Sequence, residues 1–547
     1  MHLLTTTSTT LDDIVEPVDL RQPPGDVIVL SFADSDLTSL AAAWESEKAS
    51  LPRVRLAHLR DLRHPMSVDL WIDQVGVHAK IVVVRLLGGL EWWRYGIERL
   101  SLVARERGIV LALLPGEDGS DPRLAEASTL PADELEALLR FFREGGRENM
   151  RILLHELARY AGTSLPTTKA RAAPKPVPRT GGYLPAVGAV DLDTLAESLS
   201  VARPVVPIIF YRSMLLAGDM TPINDLHQAL TSCGLAPAPL FVTSLKDAEA
   251  AAFIGTALTQ LKPAVVITTT AFAAAGGTHA TALAGVDSPI LQAVIATTKR
   301  AVWRDSVRGL GAADLAMHVV LPELDGRLLA GAIAFKDALS LQADLAFAAL
   351  VNRPESDRVA MVAARVAALV RLQLTPRAER RIGVLMPDYP HAPGRAGYAV
   401  GLDVPASLVA MLSDLAAAGY SVVDGPRTPN MLLDGLRDDA GSTLALGTYT
   451  KLLAEFPAQV RARMNEAWGE PADDPDVRDG AFHFRARTFG NVTVALPPDR
   501  GSVTERRANY HDPALPPRHT LLAFGLWLRH SVGIHALVHM GAHGTLE

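Results

Sequence analysis

The sequence is poor in cysteine, and this limits the chemistry open to it. Its only cysteine, Cys233, excludes an intramolecular disulfide and any metal site built from several thiolates. Metal chemistry in this chain therefore has to use histidine, aspartate or glutamate side chains. The sequence also contains no Gly-Lys dipeptide, which a Walker-type phosphate loop requires, so this chain has no such ATP site.

Long apolar runs and an excess of positive charge are missing as well. No apolar run approaches the roughly 18 to 20 residues that a membrane-spanning helix needs, and the N-terminus lacks the features of a signal peptide. The formal net charge of -7 argues against a nucleic acid as the main partner, because phosphate binding usually shows as a basic domain. We therefore expect a soluble, cytoplasmic protein with no membrane and no nucleic-acid partner.

Short apolar runs, by contrast, are abundant and alternate with helical patterns, which is typical of parallel sheets covered by helices on both faces. At 547 residues the chain is too long for one core. We predict an α/β fold of several consecutive domains with mostly parallel sheets flanked by helices. The predicted strands are 26–31, 78–85, 108–115, 204–210, 238–244, 263–270, 289–295, 318–322, 380–387 and 534–540.

Composition suggests where the domains meet. Residues 166–188 are rich in proline, glycine and basic residues, which is typical of a linker. We predict an N-terminal α/β domain at 1–165, this linker at 166–188, and a second, Rossmann-like α/β domain at 189–375. Residues 376–547 are predicted to begin a third body that is truncated at its C-terminus.

The last nine residues carry the strongest chemical signal. His539, His543 and Glu547 recur at four-residue intervals, and six of the sixteen histidines lie in the last 37 residues. Gly541 disfavours a continuous helix and is predicted to fold the run back, because four extended residues would hold His539 and His543 too far apart for one ion. We predict His539 and His543 as metal ligands, with Glu547 as a third ligand or a general base.

The positions of the histidines argue against a zincin site and against a ligand role for two of them. A zincin helix needs a glutamate directly after its first histidine, and here that place is held by Met540. His530 and His535 are predicted to be structural, because they fall at a helix end and a strand start.

Other polar groups stand near predicted strand ends and turns. Glu323 and Asp325 are paired carboxylates before a turn glycine; Asp-Gly turn chemistry accounts for Asp325, so Glu323 is the better candidate for a functional role. Around Asn491, residues 482–497 predict either a tight hairpin or one long strand with a bulge at Gly490.

Several motifs, in this order along the chain, resemble the large-subunit family of the class I chelatases, above all the aerobic cobaltochelatase large subunits, with the magnesium chelatase large subunits as relatives. The motifs are Pro322-Glu-Leu-Asp-Gly326, Tyr389-Pro390 with Gly394-Arg395, Gly401-Leu-Asp403 before Pro405, Trp468-Gly469, Phe489-Gly-Asn491, Tyr510-His-Asp-Pro513 and His539-x-Gly-x-His-Gly-x-Leu-Glu547. They cover the chain from about residue 200 onward. One departure is Asp388, where the family often has asparagine.

The resemblance implies ATP-dependent insertion of Co²⁺, the substrate metal, into the corrin ring of hydrogenobyrinic acid a,c-diamide. It implies that this subunit binds ring and metal, while partner subunits of the AAA+ type, small and medium, bind ATP and Mg²⁺. Alternatives are Mg²⁺ insertion into protoporphyrin IX and a non-catalytic tetrapyrrole or metal carrier. Since the family continues beyond Glu547, we expect this chain alone to be inactive.

The resemblance also extends the list of candidate residues. His543 and Glu547 are implied as catalytic residues, with His539 beside them at the metal. The residues implied at the substrate are His511, His519, Arg395, Tyr389, Glu323 and Asn491.

Overall fold

The structure is a computed structural model of the whole chain. It describes residues 16–116, 121–163, 173–200, 202–274, 283, 285–306, 309–387, 396–399, 401–437, 441–501, 512 and 514–541. The chain divides into two compact units, Met1–Ala367 and Ala368–Glu547. Across the described residues, every helix is too short or too polar to cross a lipid bilayer.

The strands of the first unit are β1 Val27–Ser31, β2 Val54–His58, β3 Ile81–Leu86, β4 Val110–Pro115, β5 Gly181–Leu184, β6 Gly188–Val190, β7 Val205–Tyr211, β8 Ala236–Val242, β9 Val266–Thr268, β10 Ile290–Lys299, β11 Leu328–Ala338 and β12 Leu350–Pro354. Those of the second unit are β13 Ile382–Leu385, β14 Tyr398–Ala399, β15 Leu402–Asp403, β16 Thr443–Ala445, β17 Val477–Arg478, β18 Ala481–His483, β19 Ala486–Phe489, β20 Val492–Ala495 and β21 Ala536–His539.

The helices that begin in the first unit are α1 Asp34–Glu47, α2 Pro65–Gln74, α3 Arg94–Arg107, α4 Pro122–Ala127, α5 Ala132–Glu144, α6 Gly146–Tyr160, α7 Leu192–Ser198, α8 Arg212–Ala217, α9 Thr221–Ser232, α10 Ala248–Leu261, α11 Arg300–Asp305, α12 Ala312–Leu315, α13 Leu321–Glu323 and α14 Ser356–Leu374. The second unit adds α15 Val404–Ala417, α16 Pro429–Gly435, α17 Leu446–Leu453, α18 Ala458–Trp468 and α19 His519–Leu526.

The first sheet is parallel throughout and has the strand order β2-β1-β3-β4. All five residues of β1 are buried, because hydrophobic clusters cover the sheet on both faces. The predicted strands 26–31, 78–85 and 108–115 correspond to β1, β3 and β4. β2 was missed by the sequence reasoning, because Arg55 and His58 interrupt its apolar pattern. Both side chains are nevertheless buried.

The second sheet has the order β12-β11-β10-β9-β7-β8-β5-β6. Its centre, from β8 to β11, is parallel, and antiparallel strands close both ends. Four predicted strands, 204–210, 238–244, 263–270 and 289–295, correspond to β7 to β10. Part of the predicted linker, Gly181–Leu184, lies in this sheet as β5. The predicted division of residues 1–375 into two domains stays a prediction.

The predicted strand at 318–322 is wrong. Residues 312–323 are helical, with a π-helical turn at Ala316–Val320 between α12 and α13. Burial explains the outcome, because Asp314, His318 and Pro322 lie four residues apart and are all buried. That spacing is the period of a helix face, and the short apolar run inside it is compatible with either structure.

The second unit is built on a sheet of order β19-β20-β13-β21, in which β20, β13 and β21 are parallel and β19 is antiparallel. Hydrophobic clusters cover both of its faces. The predicted fold class, α/β with mostly parallel sheets flanked by helices, is confirmed.

Candidate functional site at the end of the C-terminal sheet

His539 is the last residue of β21 and stands at the carboxyl end of the sheet. It lies level with Leu385, the last residue of β13, and the backbone N–H of Met540 donates to the Leu385 carbonyl at 2.9 Å. The carboxyl ends of parallel strands collect at one sheet edge, where open α/β sheets bind their ligands. The half-buried imidazole of His539 therefore stands where a ligand site of this fold is expected.

Gly541 brings the backbone against this imidazole. A Cβ atom on Gly541 would lie 2.9 Å from Cε1 of His539 and 3.2 Å from Cγ of the buried Pro387. Any larger residue would therefore push the ring or the chain out of place. Glycine at this position lets the backbone at residue 541 pass close to the ring of His539.

Five of the predicted site residues lie outside the described residues: His543, Glu547, His511, Tyr389 and Arg395. Within the described ranges, no three histidine, cysteine, aspartate or glutamate side chains form a group able to hold a metal ion. His539 is the one predicted metal ligand that the structure describes, so the ligand set His539, His543 and Glu547 stays a prediction.

His519 is placed in the core instead of at an open site. Its Nδ1 accepts a hydrogen bond from the Tyr449 hydroxyl at 2.7 Å, and its Nε2 donates to the Gly469 carbonyl at 3.1 Å. Burial raises the pKa of Tyr449, and the nearby Asp474 adds to this, so the phenol keeps the proton that it donates. Because both ring nitrogens are engaged, His519 in this arrangement holds Tyr449 against the start of α19.

Asn491 lies at the opposite end of the sheet from His539. It sits in the turn between β19 and β20, which confirms the predicted hairpin, and its side chain donates to the Ala378 carbonyl at 2.8 Å. β20 runs parallel to β21, so its four residues separate Asn491 from the carboxyl edge by about 13 Å. The structure therefore does not bring Asn491 and His539 together.

His535 and His530 lie at the strand start and the helix end that the sequence predicts for them. Nδ1 of His535 accepts from the backbone N–H of Arg381 at 2.9 Å, which fastens the start of β21 to β13. Burial, and then Arg381, lowers the pKa of His535. His530 is exposed in the π-helical turn that follows α19.

The two carboxylates near residue 324 lie in different surroundings, and the functional role predicted for Glu323 stays a prediction. Glu323 is exposed, whereas the Asp325 side chain is fully buried and pairs with Arg327 at 2.8 Å. Arg327 also donates to the Thr270 carbonyl and to Gln292, beside the carboxyl end of β9. The sequence signal for this buried network is slight: a single arginine at the head of the apolar strand β11.

Comparisons with known proteins agree with the family resemblance. The family model described as CobN/Magnesium Chelatase matches residues 139–547. The chain is 36% identical to an aerobic cobaltochelatase subunit CobN of Sinorhizobium sp over 100% of its own length and 44% of the relative's. It is 26% identical to a magnesium-chelatase subunit of Rhodobacter capsulatus, covering 86% of this chain and 42% of that protein. The chain thus spans less than half the length of these relatives.

A solved structure is similar in fold as well. The catalytic subunit of cobaltochelatase from Mycobacterium tuberculosis matches with a TM-score of 0.71 and 28% identity, over 96% of this chain and 43% of that one.

Proposed function

The chain belongs to the CobN/magnesium chelatase family, and from this premise we propose that it is part of the large, tetrapyrrole- and metal-binding subunit of an aerobic cobaltochelatase. In this proposal the intact protein inserts Co²⁺ into hydrogenobyrinic acid a,c-diamide in cobalamin biosynthesis. Separate small and medium subunits of the AAA+ type hydrolyse ATP, and the complex works in the cytoplasm.

One observation carries the choice of cobalt. The identity to the cobaltochelatase subunit is higher than the identity to the magnesium-chelatase subunit, and it extends over the whole of this chain. Mg²⁺ insertion into protoporphyrin IX and a carrier without chelatase activity are the alternatives, and both become outcomes of the test below.

Metal insertion needs metal ligands and a base, and His539 with its predicted neighbours His543 and Glu547 can supply both. A hydrated Co²⁺ ion has to lose water ligands while the ring nitrogens lose protons, so exchangeable ligands and a base are needed at one ring face. A neutral imidazole binds borderline ions such as Co²⁺. We propose His539 and His543 as ligands that hold the ion during transfer, with Glu547 accepting a proton from the ring.

The test replaces His539 by glutamine in the intact protein, assayed with its partner subunits, ATP and Co²⁺. Insertion is followed by the change in visible absorbance of the corrin. We expect H539Q to lower kcat/KM for Co²⁺ by at least about 10-fold, because removing groups around a metal site costs about 10- to 100-fold. H530Q is the matched control, because His530 is an exposed histidine of the same unit, and it should leave the rate unchanged.

Four other outcomes would each contradict one element of the proposal: the role of His539, the choice of cobalt, catalysis, or the use of ATP by partner subunits. Equal rates for wild type and H539Q would remove His539 from the site. Faster insertion of Mg²⁺ into protoporphyrin IX would replace the cobalt assignment. Binding of ring and metal that never yields product with active partners and ATP would indicate a carrier, and insertion that is independent of ATP would contradict the division of labour.

A further inference from the structure

A cavity of about 650 Å³ opens at the amino end of β8 in the first unit. The hairpin of β5 and β6, which includes part of the predicted linker, forms one wall, and α9 forms another. The buried Leu235 and Ala236, at the start of β8, also line it. The volume lies within the roughly 300 to 1,000 Å³ of small-molecule sites.

The hairpin wall of this cavity is apolar. Pro185 and Val187 lie in the turn between β5 and β6, where the backbone N–H of Val187 donates to the Leu184 carbonyl at 3.0 Å. Val187 is 70% exposed. Covering such a side chain removes apolar surface from water, so this wall favours a ligand with an apolar body.

The wall formed by α9 is polar. Asn224, His227, Gln228 and Thr231 all line the cavity. They follow Asn224 by three, four and seven residues, and this spacing places them on one face of the helix. A ligand in the cavity therefore meets hydrogen-bonding groups on α9 and apolar groups on the hairpin.

The polar groups of α9 have hydrogen-bonding capacity to spare. The Tyr183 hydroxyl donates to Oδ1 of Asn224 at 3.0 Å, which fixes the orientation of that amide. Burial lowers the pKa of His227, so its ring is neutral near pH 7 and offers one donor and one acceptor. Within the described part of the chain, Nδ2 of Asn224, the ring of His227 and the side-chain amide of Gln228 have no hydrogen-bond partner.

Arg203 gives the cavity its charge. No aspartate or glutamate is found among the described lining residues, and Arg203 is their only arginine or lysine. Its guanidinium has no ion pair or hydrogen bond with any described residue. The backbone N–H of Arg203 donates to the Ser200 carbonyl at 3.1 Å, which holds this turn at the cavity. A single guanidinium suits a monoanion, and a planar carboxylate can pair with it through two hydrogen bonds.

We propose that this cavity binds a small monocarboxylate with an apolar body. The carboxylate pairs with Arg203, and the body lies against the hairpin wall at Val187. The polar face of α9 hydrogen-bonds further polar groups of the ligand. The proposal does not depend on the chelatase assignment, because none of the lining residues belongs to the C-terminal sheet.

The test titrates the chain by isothermal calorimetry with 3-phenylpropionate, its neutral analogue 3-phenylpropionamide, and propionate. We expect 3-phenylpropionate to bind most tightly, because only this probe combines the carboxylate with an apolar ring. Equal affinity for 3-phenylpropionate and 3-phenylpropionamide would overturn the choice of a carboxylate. Equal affinity for 3-phenylpropionate and propionate would overturn the role of the apolar wall.

Arg203→Met tests the pairing with the carboxylate. The residue is exposed and has no partner among the described residues, so the variant should fold like the wild type. We expect about 10-fold weaker binding of 3-phenylpropionate, because hydrogen bonds to a charged group are lost. Binding of 3-phenylpropionamide should be unchanged. An equal loss for both probes, or no loss for either, would contradict the role of Arg203.

Thr231→Trp tests the location of the site. Thr231 is exposed, and an indole at this position would fill part of the cavity and block both phenyl probes. Thr256→Trp is the matched control: Thr256 is also an exposed helical threonine whose hydroxyl donates to the carbonyl four residues earlier, but it lies outside the lining. Circular dichroism checks that both variants fold. Wild-type affinity in Thr231→Trp, or no saturable binding of 3-phenylpropionate at millimolar concentration, would overturn the site.

Discussion

The buried pair of Asp325 and Arg327 offers the sharpest test of how the first unit is held together. The change is Asp325→Asn, which keeps the size of the side chain and its acceptor for the Ala274 N–H, a hydrogen bond of 2.6 Å. It removes the negative charge and turns the other carboxylate oxygen into an NH₂ donor. Arg327, 1% exposed, would then be a buried cation without its counter-ion.

The expected loss follows from this geometry. Breaking a buried ion pair by removing one partner costs about 3 to 5 kcal/mol, because the remaining charge stays desolvated. The Arg327 guanidinium keeps its hydrogen bonds to the Thr270 carbonyl and to Gln292, and these partly stabilise the unpaired charge. The loss should therefore lie near the lower end of that range. We therefore expect the free energy of unfolding of the first unit to fall by about 3 kcal/mol.

The assay is urea unfolding followed by circular dichroism, with Glu323→Gln as the matched control. Glu323 lies two residues away and is exposed, so its neutralisation should change the unfolding free energy by less than about 0.5 kcal/mol. The double variant Asp325→Asn/Arg327→Met should recover part of the loss, because it removes the unpaired charge. Equal midpoints for Asp325→Asn and Glu323→Gln would show that the Asp325 charge does not stabilise buried Arg327.

Two further predictions concern a glycine and a buried histidine. In Gly490→Ala the new Cβ would lie 2.6 Å from the Ser421 carbonyl oxygen at a φ of 63°, so urea unfolding should show a loss of about 2 kcal/mol. Burial, helped by Arg60, lowers the pKa of His58 to about 4 against the attraction of Asp34. The folded state thus prefers the neutral ring. The stability that this contributes, about 3 kcal/mol, is complete above about pH 6.5 and is lost as the pH falls towards 4.

Both predictions have internal controls. Gly480→Ala has a similar φ of 73° but no atom within 4 Å of a new Cβ, so it should cost less than Gly490→Ala; equal losses would contradict the clash. Unfolding measured from pH 7 to pH 4 should depend less on pH in His58→Gln than in wild type. His530→Gln should retain the wild-type dependence. An unchanged slope in His58→Gln would contradict the role of burial.

Most of the parallel strands could be predicted, because they are apolar runs that helices cover on both faces. β1 and β7 carry that pattern almost without interruption, and their predicted positions agree with the structure. β2 could not be predicted, since its Arg55 is buried through contacts with distant carbonyls, including that of Asp344. The helix at 312–323 was missed because its buried face consists partly of Asp314 and His318, which a hydrophobic pattern does not count.

The candidate site could be predicted only in part, because some of its features depend on residues that are distant in the sequence. Residue type and spacing predict His539 as a ligand and a fold-back at Gly541, and both stay predictions, because residues 542–547 lie outside the described residues. Whether His519 is open or enclosed depends on Tyr449, 70 residues away, with which it shares a hydrogen bond. The separation of Asn491 from His539 likewise depends on the direction of β20 within the sheet.

The position of β21 in its sheet has a consequence for the movement of His539. Among the described residues, β21 pairs only with β13, whereas β13 is bonded on both sides. Its Leu537 is 43% exposed, so little apolar surface opposes a small displacement of the strand. The free energy of local opening is therefore lower for β21 than for β13. Among the described residues, His539 thus stands on a strand whose main-chain hydrogen bonds to the sheet come from β13 alone, so the position of this candidate ligand depends on that single pairing.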